Sequence, residues 1–337
     1  MTEKHFVVVG DGPAGIEAAL TLRELSPEAR ISVIGKGRQP GFAPSLLPDY
    51  IAGQVQAEGL CPCADPVRCR QDIKFRCGQK VVGLNIDAHQ LIMDHRELIS
   101  FDGMILAVGS RPRIPEKMQV FGDLLMTLAN LTDGRLWRQR LAQVESVLLI
   151  GGDLASLAVA RALLQLEKRV YFLFTEEAFW PLRCTEAMLA EIGERMRSRG
   201  VTVVQGEIHG MSRLSDDSCE IILDGEPFRV GMVGAFFGLV PNVGFLARSG
   251  LLLDRGVLVD EYLFTGHEGI YAAGDCAQIY HPEIRNYWIS IGHENAKSLG
   301  RIAAMNLAGT LLPTAATPSS IFSARGIRVN TSWWTEF

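Results

Sequence analysis

The sequence has no apolar run approaching the roughly 20 residues that cross a bilayer, so no membrane-spanning helix is expected. It also lacks a basic excess: 33 Lys and Arg stand against 38 Asp and Glu, a net charge of −5, with no local cationic run. Nucleic acid is therefore set aside as a partner, since nothing here would neutralise its phosphates. Cysteine is sparse, seven in 337 residues, and the odd, scattered set reads as reduced thiols rather than a disulfide framework. No signal-peptide core precedes the first apolar strand after Met1 to His5, so a soluble cytoplasmic protein is expected. Disorder is excluded too, because a 47% hydrophobic, 21% charged chain of this length can bury two separate cores.

What is present is a repeated alternation of strand and helix patterns. An apolar run from His5 to Val9 leads through a Gly-rich turn into a helix-period stretch, Ala14 to Leu25, and a second strand, Arg30 to Ile34. The same order returns at Ser146 to Ile150, with Gly151 and Gly152, a helix from Leu154 to Leu166 and a strand from Arg169 to Phe174. Two such βαβ units predict two copies of one nucleotide-binding architecture. Phe101 to Val108 and Gly269 to Ala273 read as further strands, and His293 to Leu307 as a long helix. Leu311 to Phe337, rich in Pro, Thr, Ser and Ala, reads as an extended tail.

Gly10, Gly12 and Gly15 form a G-x-G-x-x-G pattern between strand and helix. Gly10 allows the tight turn, Gly12 lets backbone approach a diphosphate, and Gly15 allows helix and strand to pack closely, while the helix N-terminus offers free N–H groups. The acid that should hold the adenosine ribose falls near Gly35 or Lys36, and an ammonium cannot accept hydroxyl hydrogen bonds. Ribose contact must come from elsewhere.

Three later segments carry a family resemblance. Phe101 to Pro112 is similar to the "yDkLiiAtGsrP" segment of the FAD-dependent pyridine-nucleotide-disulfide oxidoreductase superfamily. Leu239 to Asn242, with Gly250, Leu251 and Val257 to Asp260, resembles its "GvrPN…GL…i.vd" stretch, and Thr265 to Ala277 resembles its second FAD fingerprint, T-x4-I-Y-A-x-G-D. The resemblance runs from residue 5 to residue 326. Pro40 to Gly53 is closest to the branch of rubredoxin and ferredoxin reductases and the flavin part of nitrite reductase. No cysteine lies between Met1 and Cys61, so the redox cysteines of the disulfide reductases are missing, and Pro44 stands where the close branch places a basic residue beside the flavin.

The resemblance implies an α/β fold with two Rossmann-like dinucleotide-binding domains: an FAD domain of residues 1–115 and 240–312, an inserted NAD(P)H-type domain of residues 120–238, and a C-terminal extension of residues 313–337 in place of the usual interface domain. It implies FAD contacts at Gly10, Gly12, Pro13, Ala14, Gly15, Lys36, Val81, Ala107, Val108, Gly109, Arg111, Gly274, Asp275, Asn295 and Ala296. Asp275 at a strand end could accept from the ribityl chain, or could instead be a helix N-cap.

The second turn keeps the pattern and changes its letters. Where the family reads G-G-G-x-x-G, this chain has Gly151, Gly152, Asp153, Leu154, Ala155 and Ser156, with Ala158 in the usual acidic position. A carboxylate about 4 Å from a phosphate charge, at an effective dielectric near 20, costs about 4 kcal/mol, roughly a thousandfold in affinity. The ribose-binding acid aligns with Phe174, with Glu176 and Glu177 close enough to substitute. Gly151, Gly152 and Glu176 are the candidate NAD(P)H contacts.

Two functions remain open. One is an FAD oxidoreductase moving electrons between NAD(P)H and a redox protein, such as an iron–sulfur protein, within a hetero-oligomeric complex. The other is an FAD-bearing subunit with a vestigial nicotinamide site that serves as a relay or docking component. No nucleophile or acid–base pair is expected, since the flavin carries the chemistry. Cys61, Cys63, Cys69 and Cys77 fit no metal-ligand spacing, so no metal is expected. His293 could be a proton donor or a cap, and Trp333, Trp334 and Phe337 could anchor a partner.

Overall fold

The computed structural model describes residues 3–38, 40–61, 72–179, 184–315, 321–324 and 327–330. The chain divides into two compact units, one of residues 1–43, 58–110 and 241–337, the other of residues 44–57 and 111–240.

The first unit is built on five parallel strands, β1 (His5–Val9), β2 (Arg30–Gly35), β3 (Ile73–Cys77), β7 (Gly103–Leu106) and β19 (Ile270–Ala272), in the order β19-β7-β1-β2-β3. Val7, Val8, Met104, Ile105 and Leu106 are wholly buried, the continuous apolar run a parallel sheet needs when both faces are covered. Helix α1 (Pro13–Leu25) begins with proline at a first-turn position, where its missing N–H costs nothing. It crosses the long helix α7 (His293–Leu307) closely, since a Cβ at Gly300 would fall 2.8 Å from the Ala14 carbonyl carbon. A small antiparallel sheet of β4 (Val81–Asn85), β5 (Gln90–Met93) and β6 (Leu98–Ser100) follows β3.

A further sheet of this unit joins β18 (Val257–Val259), β20 (Ala277–His281), β21 (Asn286–Ser290), β23 (Ile327–Asn330) and β22 (Ile321–Ala324) in that order. Part of the stretch expected as an extended tail is thus paired strand, with β23 parallel to β21 and antiparallel to β22. Runs of four residues are too short for alternation to stand out among Pro, Thr and Ser. Trp333, Trp334 and Phe337 lie outside the described residues.

The second unit repeats the plan. Strands β9 (Leu125–Met126), β10 (Ser146–Gly151), β11 (Arg169–Phe174), β12 (Thr202–Val204) and β16 (Met232–Phe236) form a parallel sheet in the order β12-β11-β10-β16-β9. Antiparallel β13 (Ile208–Arg213), β14 (Cys219–Leu223) and β15 (Glu226–Val230) follow. The helices are α2 (Leu47–Ile51), α3 (Glu116–Gln119), α4 (Leu131–Leu141), α5 (Leu154–Gln165) and α6 (Glu186–Ser198). Short α2 packs on α4, where a Cβ at Gly134 would fall 3.0 Å from the Tyr50 ring and 3.1 Å from Leu47. Two short strands, β8 (Ser110–Pro112) and β17 (Leu239–Pro241), stand where the chain passes between the units. Among the described residues no helix is long and apolar enough to cross a membrane.

Candidate dinucleotide sites

The turn after β1 is shaped by close backbone approach. Gly10 has φ +117°, and a Cβ there would fall 2.5 Å from the Ala107 carbonyl carbon, so only glycine fits between β1 and β7. Gly12 is the N-cap of α1 and offers no side chain to the first-turn N–H groups, which are left for an anion. A Cβ at Gly12 would meet no protein atom within 4 Å, whereas at Gly15 it would fall 2.9 Å from the Gly10 carbonyl carbon. Gly12 thus faces open space at a helix terminus, the setting a diphosphate requires, while Gly10 and Gly15 hold the turn's shape. Pro13 and Ala14 form the first turn of α1.

Asp275 lies next to this turn. It sits in a short 3-10 turn, Gly274–Cys276, whose N-cap is Ala273, so it caps no helix. The Ser110 hydroxyl donates to Asp275 Oδ2 at 2.8 Å, and burial raises the carboxyl pKa against that bond. A Cβ at Gly274 would fall 2.9 Å from Ala14 Cβ and 3.8 Å from Ala296 Cβ, so the first turns of α1 and α7 converge on Gly274. The N-terminus of α7 has Gly292 as N-cap with no side-chain cap. Asn295 donates to the Ile291 carbonyl at 2.8 Å, while His293 Nδ1 is buried with no hydrogen-bond partner among the described residues. Desolvation lowers the His293 pKa, so its ring is neutral near pH 7.

Ala107, Val108 and Gly109 follow β7, and Asn242 clasps this loop, donating its backbone N–H to the Gly109 carbonyl at 2.9 Å and its side-chain amide to the Val108 carbonyl at 3.2 Å. Val81 opens β4 and is buried. Lys36 and Arg111 are both exposed. FAD fits the first unit: uncapped helix amides, a glycine facing open space and a carboxylate with acceptor capacity to spare are brought together there. Sequence reasoning missed Ser110, although it adjoins Gly109 in a quoted motif, and Asp11, the second letter of the first turn.

The second unit's turn has the same frame and a different content. Gly151 has φ +106° and a Cβ there would fall 2.8 Å from the Phe236 carbonyl carbon, matching Gly10 in its unit. Asp153, however, is the N-cap of α5 and its carboxylate accepts the Ser156 N–H at 2.9 Å, while Ser156 Oγ accepts the Asp153 N–H at 3.0 Å. Backbone N–H groups of Gly238 and Ala155 also favour the charged carboxylate, yet burial wins and pushes its pKa up to about 6. Phe174 and Ala178 lie over Gly152, each 3.3 Å from where its Cβ would be, and the Phe179 N–H bonds the Gly152 carbonyl.

Beside this covered turn is a cleft of about 550 Å³, lined by Arg113, Lys117, Met118, Thr175, Glu176, Glu177 and Phe237 among others. Glu177 is ion-paired with Arg113, and Glu176 is exposed at the cleft. The α5 amides that would hold a diphosphate are therefore engaged by an internal anion. Cys61 is buried and Cys77 half-buried, while Cys63 and Cys69 lie outside the described residues.

Comparison with known proteins agrees with this architecture. The profile of the pyridine nucleotide-disulphide oxidoreductase family matches residues 4–295. Putidaredoxin reductase of Pseudomonas putida is 29% identical over 327 residues, covering 93% of this chain and 76% of that protein. The 3-phenylpropionate/cinnamic acid dioxygenase ferredoxin–NAD(+) reductase component of Photorhabdus laumondii is 26% identical over 326 residues, covering 94% of this chain and 81% of that protein. Among solved structures, the covalent putidaredoxin reductase–putidaredoxin complex matches with a TM-score of 0.83 at 25% identity, covering 97% of this chain and 80% of that one.

Proposed function

The chain belongs to the pyridine nucleotide-disulphide oxidoreductase family, and from that membership we propose that it is an FAD-containing reductase moving electrons from a nicotinamide dinucleotide to a redox protein. The uncapped α1 N-terminus, with Gly12 facing open space beside Asp275, carries the reading. When bound, FAD supplies the chemistry, taking up a hydride and releasing electrons singly. The protein's part is to bind and orient. First-turn N–H groups of α1 would hold the diphosphate, and Asp275, which accepts from Ser110, would accept from a ribityl hydroxyl as well. The uncapped start of α7 presents a positive pole beside Gly274, suited to the negative charge that accumulates on reduction. The FAD domain is then the first unit, and the nicotinamide-type domain the second.

At α5, Asp153 already occupies donors that a bound diphosphate would need. Weak nicotinamide binding follows, with Glu176 in the adjacent cleft as a further polar contact. The electron acceptor we propose is a small iron–sulfur protein, bound in a hetero-oligomeric complex in the cytoplasm; relatives named for ferredoxin and putidaredoxin support this. Flavin released by denaturing the purified protein tests the reading. FAD at one per chain supports it, and FMN or no flavin contradicts it.

A further inference from the structure

The adenosine ribose of a dinucleotide is usually held by a carboxylate at the end of the second strand, about 20 residues beyond the glycine-rich turn. Here β2 ends in Gly35, followed by Lys36, whose ammonium is exposed and only donates. A carboxylate nevertheless stands at this strand end, delivered from another element. Asp11, in the turn after β1, lays its side chain across Gly35, and a Cβ at Gly35 would fall 2.6 Å from Asp11 Oδ1 and closer still to Oδ2. Gly35 thus makes room for Asp11, and any larger residue there would displace the carboxylate.

The placement is set by backbone bonds on both sides of the turn. Gly10 N–H bonds the Ile34 carbonyl at 2.8 Å, and the Asp11 carbonyl accepts the Gly41 N–H at 2.8 Å. Cys77, the last residue of β3, is near enough that the Asp11 charge contributes to raising its pKa. Asp11 therefore sits at the carboxyl ends of three adjacent parallel strands, where open α/β sheets bind their ligands. Its Oδ2 is buried and has no hydrogen-bond partner among the described residues. A buried carboxylate oxygen without a donor is costly unless something supplies one.

We infer that Asp11 holds the adenosine ribose of FAD, accepting from its vicinal hydroxyls in place of the acid missing from the end of β2. This rests on the flavin reading of the first unit. A ribose diol offers two O–H donors to one carboxylate, a charge-assisted pair that an exposed lysine cannot replace. Lys36 and Gly35 are then the sequence marks of a carboxylate moved from one strand end to the neighbouring turn.

The test is the affinity of the apoprotein for FAD and for the analogue lacking the adenosine 2′-hydroxyl, read by flavin fluorescence quenching. Parent protein is expected to bind FAD at least tenfold tighter than the analogue. Asp11→Ala should weaken FAD at least tenfold and bind both flavins equally, and adding Lys36→Asp should restore both affinity and discrimination. Thermal melting of each apoprotein separates misfolding from lost contact, and Asp11→Asn, nearly isosteric, keeps the test open if Asp11→Ala does not fold. An Asp11 variant that folds and still binds FAD tightly, or still prefers it over the analogue as the parent does, overturns the assignment. A parent that binds neither flavin overturns the flavin reading itself.

Discussion

Asp153 and Ser156 cap one another at the start of α5, each accepting the other's backbone N–H at 2.9 to 3.0 Å. The reciprocal pair does for α5 what a nucleotide diphosphate does for such a helix in this fold. It secures the helix and withdraws its donors from a ligand.

Replacing that carboxylate should open the site. Asp153→Gly is expected to tighten NADH binding at least tenfold, since a charge about 4 Å from a phosphate costs about 4 kcal/mol at an effective dielectric near 20. Stopped-flow reduction of the flavin at varied NADH gives the apparent dissociation constant, and an unchanged value would show that Asp153 is not the obstacle.

Protonation of Asp153 also bears on folding stability. Burial raises the Asp153 pKa to about 6 from an ordinary 3.8. The folded state therefore holds this proton more tightly than the unfolded chain, so its contribution to stability is present below the lower value and is lost as pH rises to the upper one. The difference is about 3 kcal/mol. Denaturant midpoints for Asp153→Asn should fall less between about pH 4 and 6 than those of the parent. A parallel pair of curves would contradict this.

The two glycines of the first turn should separate folding from binding. Gly12→Ala adds a methyl into open space and is expected to leave the apoprotein melting temperature nearly unchanged while weakening FAD at least tenfold. Gly10→Ala strains a φ of +117° and meets the Ala107 carbonyl, so a loss above about 2 kcal/mol is expected from urea denaturation. Equal effects of the two on stability would undo the distinction.

Asp275→Ala should release FAD at least tenfold more readily, and Ser110→Ala should have a smaller effect in the same direction, because Ser110 reaches the flavin site only through the carboxylate. Flavin retention on gel filtration measures both. If Ser110→Ala is as damaging as Asp275→Ala, the hydroxyl has a direct role.

The strand and helix frame was legible because its signals are local. β1, α1, β10 and α5 announce themselves by apolar runs and glycine turns, and the long helix at His293 was bounded to the residue. Asp153 was readable as a misfit letter, but not as a cap, since the sequence does not show where a carboxylate turns. The Asp11 and Gly35 pairing was hidden for another reason. It joins residues from neighbouring strand ends, and only the parallel register of β1 and β2 brings them together. Strands β22 and β23 were masked by their length, since runs of four residues become strands through pairing, β23 with β21 and β22 with β23.

Electron transfer from a nicotinamide through FAD is the role proposed for this chain. Anaerobic mixing of the FAD-loaded protein with NADH, following the oxidised-flavin absorption band, tests it most directly. The prediction is complete bleaching with a half-saturating NADH concentration that drops in Asp153→Gly. No bleaching by NADH or NADPH in either protein, with dithionite still reducing the flavin, would contradict it.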